Sequence, residues 1–188
     1  MPGASPDTSG DGPGRAVPEV EAEPPPSGAL ELTVDIVGLE GGWLFLESVE
    51  KRVLAAAQAV ARHRAVRQQL PAEVCIALAS DVEVEALNRG WRGKDRSTNI
   101  LSFPAPPYPA QGGSPPFLGD VILARETVLA EADEQGIAPP AHIQHLVVHG
   151  LLHLLGFDHE TEGMALEMEA METEILASIG VADPYAMS

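Results

Sequence analysis

Hydrophobic and polar positions alternate from Leu30 to Val37 (Leu-Glu-Leu-Thr-Val-Asp-Ile-Val), the period of a strand with one buried face. From about Glu47 to Gln69 the period lengthens to that of a helix, with Val49, Val53, Ala57 and Val60 on one stripe. Glu73 to Ala79 reads as a short strand buried on both sides, Val74, Ile76 and Leu78 facing one way and Cys75, Ala77 and Ala79 the other. Ser80 and Glu83 form a capping box that starts a helix running to about Arg89. Thr98–Phe103 is a strand stopped by Pro104, and Leu118–Ala124 is another, with Asp120 inside it. A polar helix to about Gln135 follows, and Pro139-Pro140 introduces an apolar helix free of proline from Ala141 to Leu155. Met164, Met168, Met171, Ile175 and Ile179 mark a last amphipathic helix whose methionine stripe is core packing. Helices and strands mix without strict βαβ alternation, which predicts an α+β fold with no internal repeat.

Between these elements the pattern lapses. Residues 1–28 are rich in Pro, Gly, Ser and acids and have almost nothing to bury, so a disordered tail is expected before a single domain at 29–188. Trp91-Arg92-Gly93-Lys94-Asp95-Arg96 is a polar loop between two well-defined elements, where functional residues tend to sit. Residues 104–117, with six prolines and two glycines, form an exposed loop that would rim a cleft.

The apolar helix carries the chemistry. Five of the six histidines lie between residues 142 and 159, and His149, His153 and His159 fall at i, i+4 and i+10. Residues four apart share a helix face, Gly156 suits the left-handed residue that ends the helix, and the chain then returns His159 to the pair. Burying several imidazoles without partners would cost about 1–3 kcal/mol each, so the spacing is better read as a three-histidine metal site with an open fourth position, the arrangement of a catalytic zinc. The same spacing fits the protease pattern His-Glu-x-x-His-x-x-Gly-x-x-His, but the position of the general base is Gly150, which can neither take nor give a proton.

Charge narrows the partners. The formal charge is −17, which argues against general nucleic-acid binding and against DNA. Yet Lys51, Arg52, Arg62, Arg64 and Arg67 cluster, as do Arg89, Arg92, Lys94 and Arg96, so locally positive surface is available. The first cluster reads equally as a solvated helix face. The single Cys75 allows no internal disulfide and suits a reducing compartment. With no basic patch followed by an apolar run at the N-terminus and no apolar stretch of about 20 residues, no leader and no membrane span are expected, and the protein is expected in the cytoplasm.

The stretch His149-Gly-Leu-Leu-His-Leu-Leu-Gly-Phe-Asp-His159 resembles the YbeY family, bacterial metal-dependent endoribonucleases that mature ribosomal RNA. The resemblance extends to Leu87–Asp95, to Thr98–Pro104, to Leu118-Gly119-Asp120 and to Asp183-Pro184-Tyr185, about residues 30–185 in all. It implies an α+β fold with a mixed sheet, a zincin-like metal helix and one Zn2+ per chain on His149, His153 and His159. It also implies that Arg92 is the basic residue needed for RNA cleavage, which makes Arg92 and His149 the catalytic candidates. The implied function is single-strand-specific, zinc-dependent endoribonuclease activity in maturation of the small-subunit ribosomal RNA 3′ end and in ribosome quality control. The implied partners are ribosomal RNA and the ribosome or its small-subunit proteins. A zinc peptidase-like hydrolase and a ribosome-assembly factor with a structural metal are the alternatives. His145 and His142 are candidates to orient a ligand or approach substrate, and Asp158 either buttresses a ligand histidine or caps the turn. Arg89, Lys94 and Arg96 are candidates for the RNA backbone or are simply solvated.

Overall fold

The structure is a computed structural model and describes residues 31–38, 42–43, 48–92, 98–106 and 114–186, without the side chains of Trp91 and Arg92. The expected tail at 1–28, Lys94, Arg96 and residues 107–113 of the proline-rich loop lie outside the described residues.

Among the described residues four strands form one mixed sheet: β1 (Leu32–Val37), β2 (Ala72–Ala79), β3 (Ile100–Pro104) and β4 (Phe117–Ala124), in the order β1-β2-β4-β3. β1 runs parallel to β2 and β2 to β4, while β3 is an antiparallel edge strand on β4. The fold is α+β. Pro104 does not precede the end of β3 but is its last paired residue, opposite Gly119. An edge strand tolerates it because the missing N–H need not serve a second neighbour.

The helices are α1 (Val49–Arg62), α2 (Asp81–Arg92), α3 (Arg125–Gln135), α4 (Pro139–Leu154) and α5 (Glu162–Ala177). One sheet face, through Val74, Ile76, Leu78, Val121 and Leu123, packs on α1, α4 and α5 in the main core. The other face carries α2, whose Val84 meets Leu101, Ile122 and Ala124. That second layer is thinner, so β2 is fully buried on one side and only half-buried on the side of Cys75, Ala77 and Ala79. Burial, then Asp120 and Asp35, push the Cys75 thiol up from its ordinary range.

Two helix boundaries differ from the expectations. α1 stops at Arg62 rather than continuing to Gln69; His63 turns extended, its ring reaches Glu174 of α5 at 3.2 Å, and Val66 drops into the core. Those contacts outweigh helix propensity, and only a short 3-10 turn at Arg67–Gln69 remains. α2 instead runs past Arg89 to Arg92, so the backbone of Arg92 closes a helix and does not lie in a loop. Its start is the expected capping box, the Ser80 N–H donating to Glu83 at 2.7 Å. In α5, Met168, Met171 and Ile175 are buried as expected, but Met164 is exposed and Ile179 lies beyond the helix end, packed on the core.

Candidate metal centre

α4 is apolar on most of its circumference because it is the central helix, flanked by α1, α3, α5 and the sheet. Pro139 and Pro140 occupy its first turn, where a missing N–H has no intrahelical partner to lose. Where it crosses β3 and β4 it does so at Gly150. A Cβ there would lie 2.7 Å from Ile100 Cδ1 and 2.9 Å from Val121 Cγ1, and the Gly150 carbonyl accepts from Ser102 Oγ at 3.3 Å. The residue that breaks the protease pattern is therefore a packing position with no space for a glutamate.

The C-terminus of α4 is a Schellman turn: Phe157 N–H donates to Leu152 O at 3.0 Å and Gly156 N–H to His153 O at 3.0 Å, with Gly156 left-handed at φ 88°. This turn also sets a histidine. The Phe157 carbonyl accepts from His153 Nδ1 at 3.1 Å, so Nδ1 carries the proton and Nε2 a lone pair.

His149 is set from the other side. Its Nδ1 donates to Glu172 Oε1 at 2.8 Å, across from α5. Glu172 is 0% exposed, and its second oxygen accepts from Tyr185 OH and faces His145 Nε2 at 3.3 Å. Burial works to raise the carboxyl, but the hydrogen bonds from His145, His149 and Tyr185 prevail and hold it at about 2, ionised and accepting only. His149 therefore also presents a lone pair at Nε2. The two Nε2 atoms stand 3.1 Å apart, and ligand nitrogens of all three histidines lie within 4.8 Å of one another, with His159 the exposed member.

Two imidazole lone pairs held that close repel unless a cation lies between them. Zinc–nitrogen bonds of about 2.0–2.1 Å at tetrahedral angles place neighbouring ligand nitrogens about 3.3 Å apart, close to the spacing found. Burial, then the neighbouring His149 and His159, lower the His153 pKa and keep that ring neutral. The donor set fits a metal of the zinc class.

The cleft in front of these nitrogens has a volume of about 550 Å³ and runs between α4 and the β3 edge, bounded by Ser102, Pro104, Phe157 and Asp158. The Thr98–Phe103 region thus lies beside the metal helix. Asp158 caps the turn: its Oδ1 accepts the His159 N–H at 2.7 Å and stays 3.9 Å from His153 Nδ1, beyond hydrogen-bond reach. His145 does not join the metal set; it backs Glu172. His142 bonds Glu131 at 2.9 Å. Arg89 pairs with Glu85 at 2.7 Å along the exposed side of α2.

Glu172 is the residue that the sequence reading missed. Its signal was present: it stands among Met168, Met171, Ile175 and Leu176, so the stripe that buries α5 contains a carboxylate at a core position. Tyr185, quoted above only as part of a motif, supplies the hydroxyl that helps to hold it.

The family model described as Endoribonuclease YbeY matches residues 44–180. A protein named Endoribonuclease YbeY from Azorhizobium caulinodans is 46% identical over 156 residues, covering 83% of this chain and 98% of that protein. One of the same name from Rhodospirillum rubrum is 50% identical over 167 residues, covering 84% and 82%. Another from Allorhizobium ampelinum is 45% identical over 162 residues, covering 83% and 96%. The chain belongs to the YbeY family.

Proposed function

We propose that this chain, as a member of that family, is a single-strand-specific, zinc-dependent endoribonuclease of ribosomal RNA. It would act at the 3′ end of the small-subunit RNA and in ribosome quality control, in the cytoplasm and in contact with the ribosome or small-subunit ribosomal proteins. The observation that carries the reading is the pair of Nε2 lone pairs of His149 and His153 held 3.1 Å apart, with His159 closing the set.

One Zn2+ per chain on His149, His153 and His159 supplies Lewis acidity toward a phosphodiester oxygen and toward water. The protein's own part is orientation. Glu172 and the Phe157 carbonyl lock both Nδ1 protons, so neither ring needs to flip or lose a proton before it binds. Ser102 and Pro104 on the β3 edge form the opposite wall, along which a single strand lies extended. Arg92 is assigned to the scissile phosphate: a guanidinium grips phosphate oxygens through paired hydrogen bonds and stabilises charge that develops on them. Gly150 suits this substrate, because a carboxylate beside the metal would repel a phosphodiester.

The test is metal analysis with an RNA assay. Gently purified protein should hold about one zinc per chain and cleave single-stranded ribosomal RNA precursors, while leaving duplex RNA, DNA and casein intact. His149→Ala and His153→Ala should each lose most of the metal and the cleavage. Protein that takes up no metal on titration ends the catalytic reading.

A further inference from the structure

The cleft does not end at the metal centre. Past His149 it continues into a second cavity of about 600 Å³ between α3, α4 and the start of β3, sharing Asn99, Ile100 and His149 with the first. That volume is in the range of small-molecule sites. Its polarity differs from what a phosphate needs: Glu131 and Glu134 project from α3, and among the described residues no Lys or Arg lines it. Two carboxylates disfavour an anionic group here and favour one rich in N–H donors.

Glu131 is built to meet such a group. Its Oε2 accepts from Asn99 Nδ2 at 3.0 Å and bonds His142 Nε2 at 2.9 Å, which fixes the carboxylate from behind. Among the described residues its Oε1 takes no hydrogen bond, and the side chain is 30% exposed. His142 itself is 3% exposed and lines the cavity, with its Nδ1 unpartnered among the described residues. A buried nitrogen without a partner costs about 1–3 kcal/mol, so apolar packing alone would favour another residue at this position. Its bond to Glu131 accounts for it. Tyr185 and Gln135 complete the cavity with an aromatic ring and an amide.

We propose that this cavity is a nucleobase subsite that selects guanine next to the cleaved phosphodiester and disfavours uracil. The inference rests on reading the cleft as the RNA site. Single-stranded RNA is read by splaying a base out, stacking it on an aromatic side chain and bonding its Watson–Crick edge. Guanine presents two parallel donors on that edge, N1–H and the N2 amino group, to the carboxylates of Glu131 and Glu134, and its O6 meets the Gln135 amide. Adenine and cytosine offer one amino group beside a ring acceptor. Uracil offers one N–H flanked by two carbonyls, which the carboxylates repel.

The test uses the four nucleoside 5′-monophosphates, which share one phosphate and contain no phosphodiester to cleave. They are titrated into the zinc-loaded full chain by calorimetry. Guanosine monophosphate should bind about tenfold more tightly than uridine monophosphate, the discrimination that one good bidentate base contact provides, with the other two between them. Glu131→Gln and Glu134→Gln, each checked for fold and zinc content, should bring the ratio to about twofold or less. If Glu131→Gln does not fold, Glu134→Gln decides alone. Equal affinities in the wild type, or a ratio unchanged in every folded variant, overturn the proposal. A guanine preference in protein that cleaves no RNA would instead sink the nuclease reading and leave the subsite standing.

Discussion

Glu172 and His149 are 23 residues apart in the chain and on different helices, yet Glu172 Oε1 accepts the His149 Nδ1 proton at 2.8 Å. This bond decides which nitrogen of His149 is available to a metal. Glu172→Gln keeps a similar shape but removes the charge that favours a proton on Nδ1. Zinc affinity, measured by competition with a chelator, should fall about 10–100-fold. Tyr185→Phe should weaken it less, since it removes only one of the donors on the carboxylate.

The same carboxylate predicts an acid limit. Its pKa lies at about 2 in the folded protein, against an ordinary 4.5. The folded state therefore binds fewer protons than the unfolded state between those values, and stability falls as pH drops through that window. In metal-free protein the loss should be about 3 kcal/mol, complete by pH 2, and present in full only above about 4.5. Denaturant titrations at several pH values should show this slope in wild type and a flatter one in Glu172→Gln. Equal slopes would mean that the carboxylate is not held down by its three donors.

Gly150 makes a prediction about the protease pattern. Because a Cβ would lie 2.7 Å from Ile100 and 2.9 Å from Val121, Gly150→Ala should destabilise the protein by about 1–3 kcal/mol through overpacking. Gly150→Glu should cost more and yield no peptidase activity on casein. A stable Gly150→Glu variant would show that α4 can shift away from the sheet.

Arg92→Ala should keep the fold and the zinc while slowing single-turnover cleavage of single-stranded RNA about 10²–10³-fold. Arg92→Lys should recover only part, since an ammonium cannot reproduce the paired geometry of a guanidinium. Near-wild-type rates for Arg92→Ala would remove it from the reaction.

The division into a tail at 1–28 and a domain at 29–188 is proposed from composition. Deleting residues 1–28 should leave the melting temperature and metal content unchanged. A drop of about 4 °C, near 1 kcal/mol for a domain of this size, would show that the tail packs on the domain.

The three histidines and the apolar helix that carries them were legible in the sequence because both are local. A spacing of i, i+4 puts His149 and His153 on one helix face, and the glycine at its end turns the chain that brings His159 back to them. The capping box at Ser80 and Glu83 was legible for the same reason. What depended on distant chain was not. The early end of α1 comes from His63 meeting Glu174, and the use of Pro104 in a ladder comes from β3 taking an edge position. Glu172 became a partner of His149 only when α5 packed beside α4, and Gly150 changed from a missing base to a packing contact only when α4 lay against β3 and β4. Periodicity states which residues share a face of one element. Which face of another element they meet is decided by how the elements pack, and on that depends the tautomer of His149, whereas that of His153 is set within its own turn.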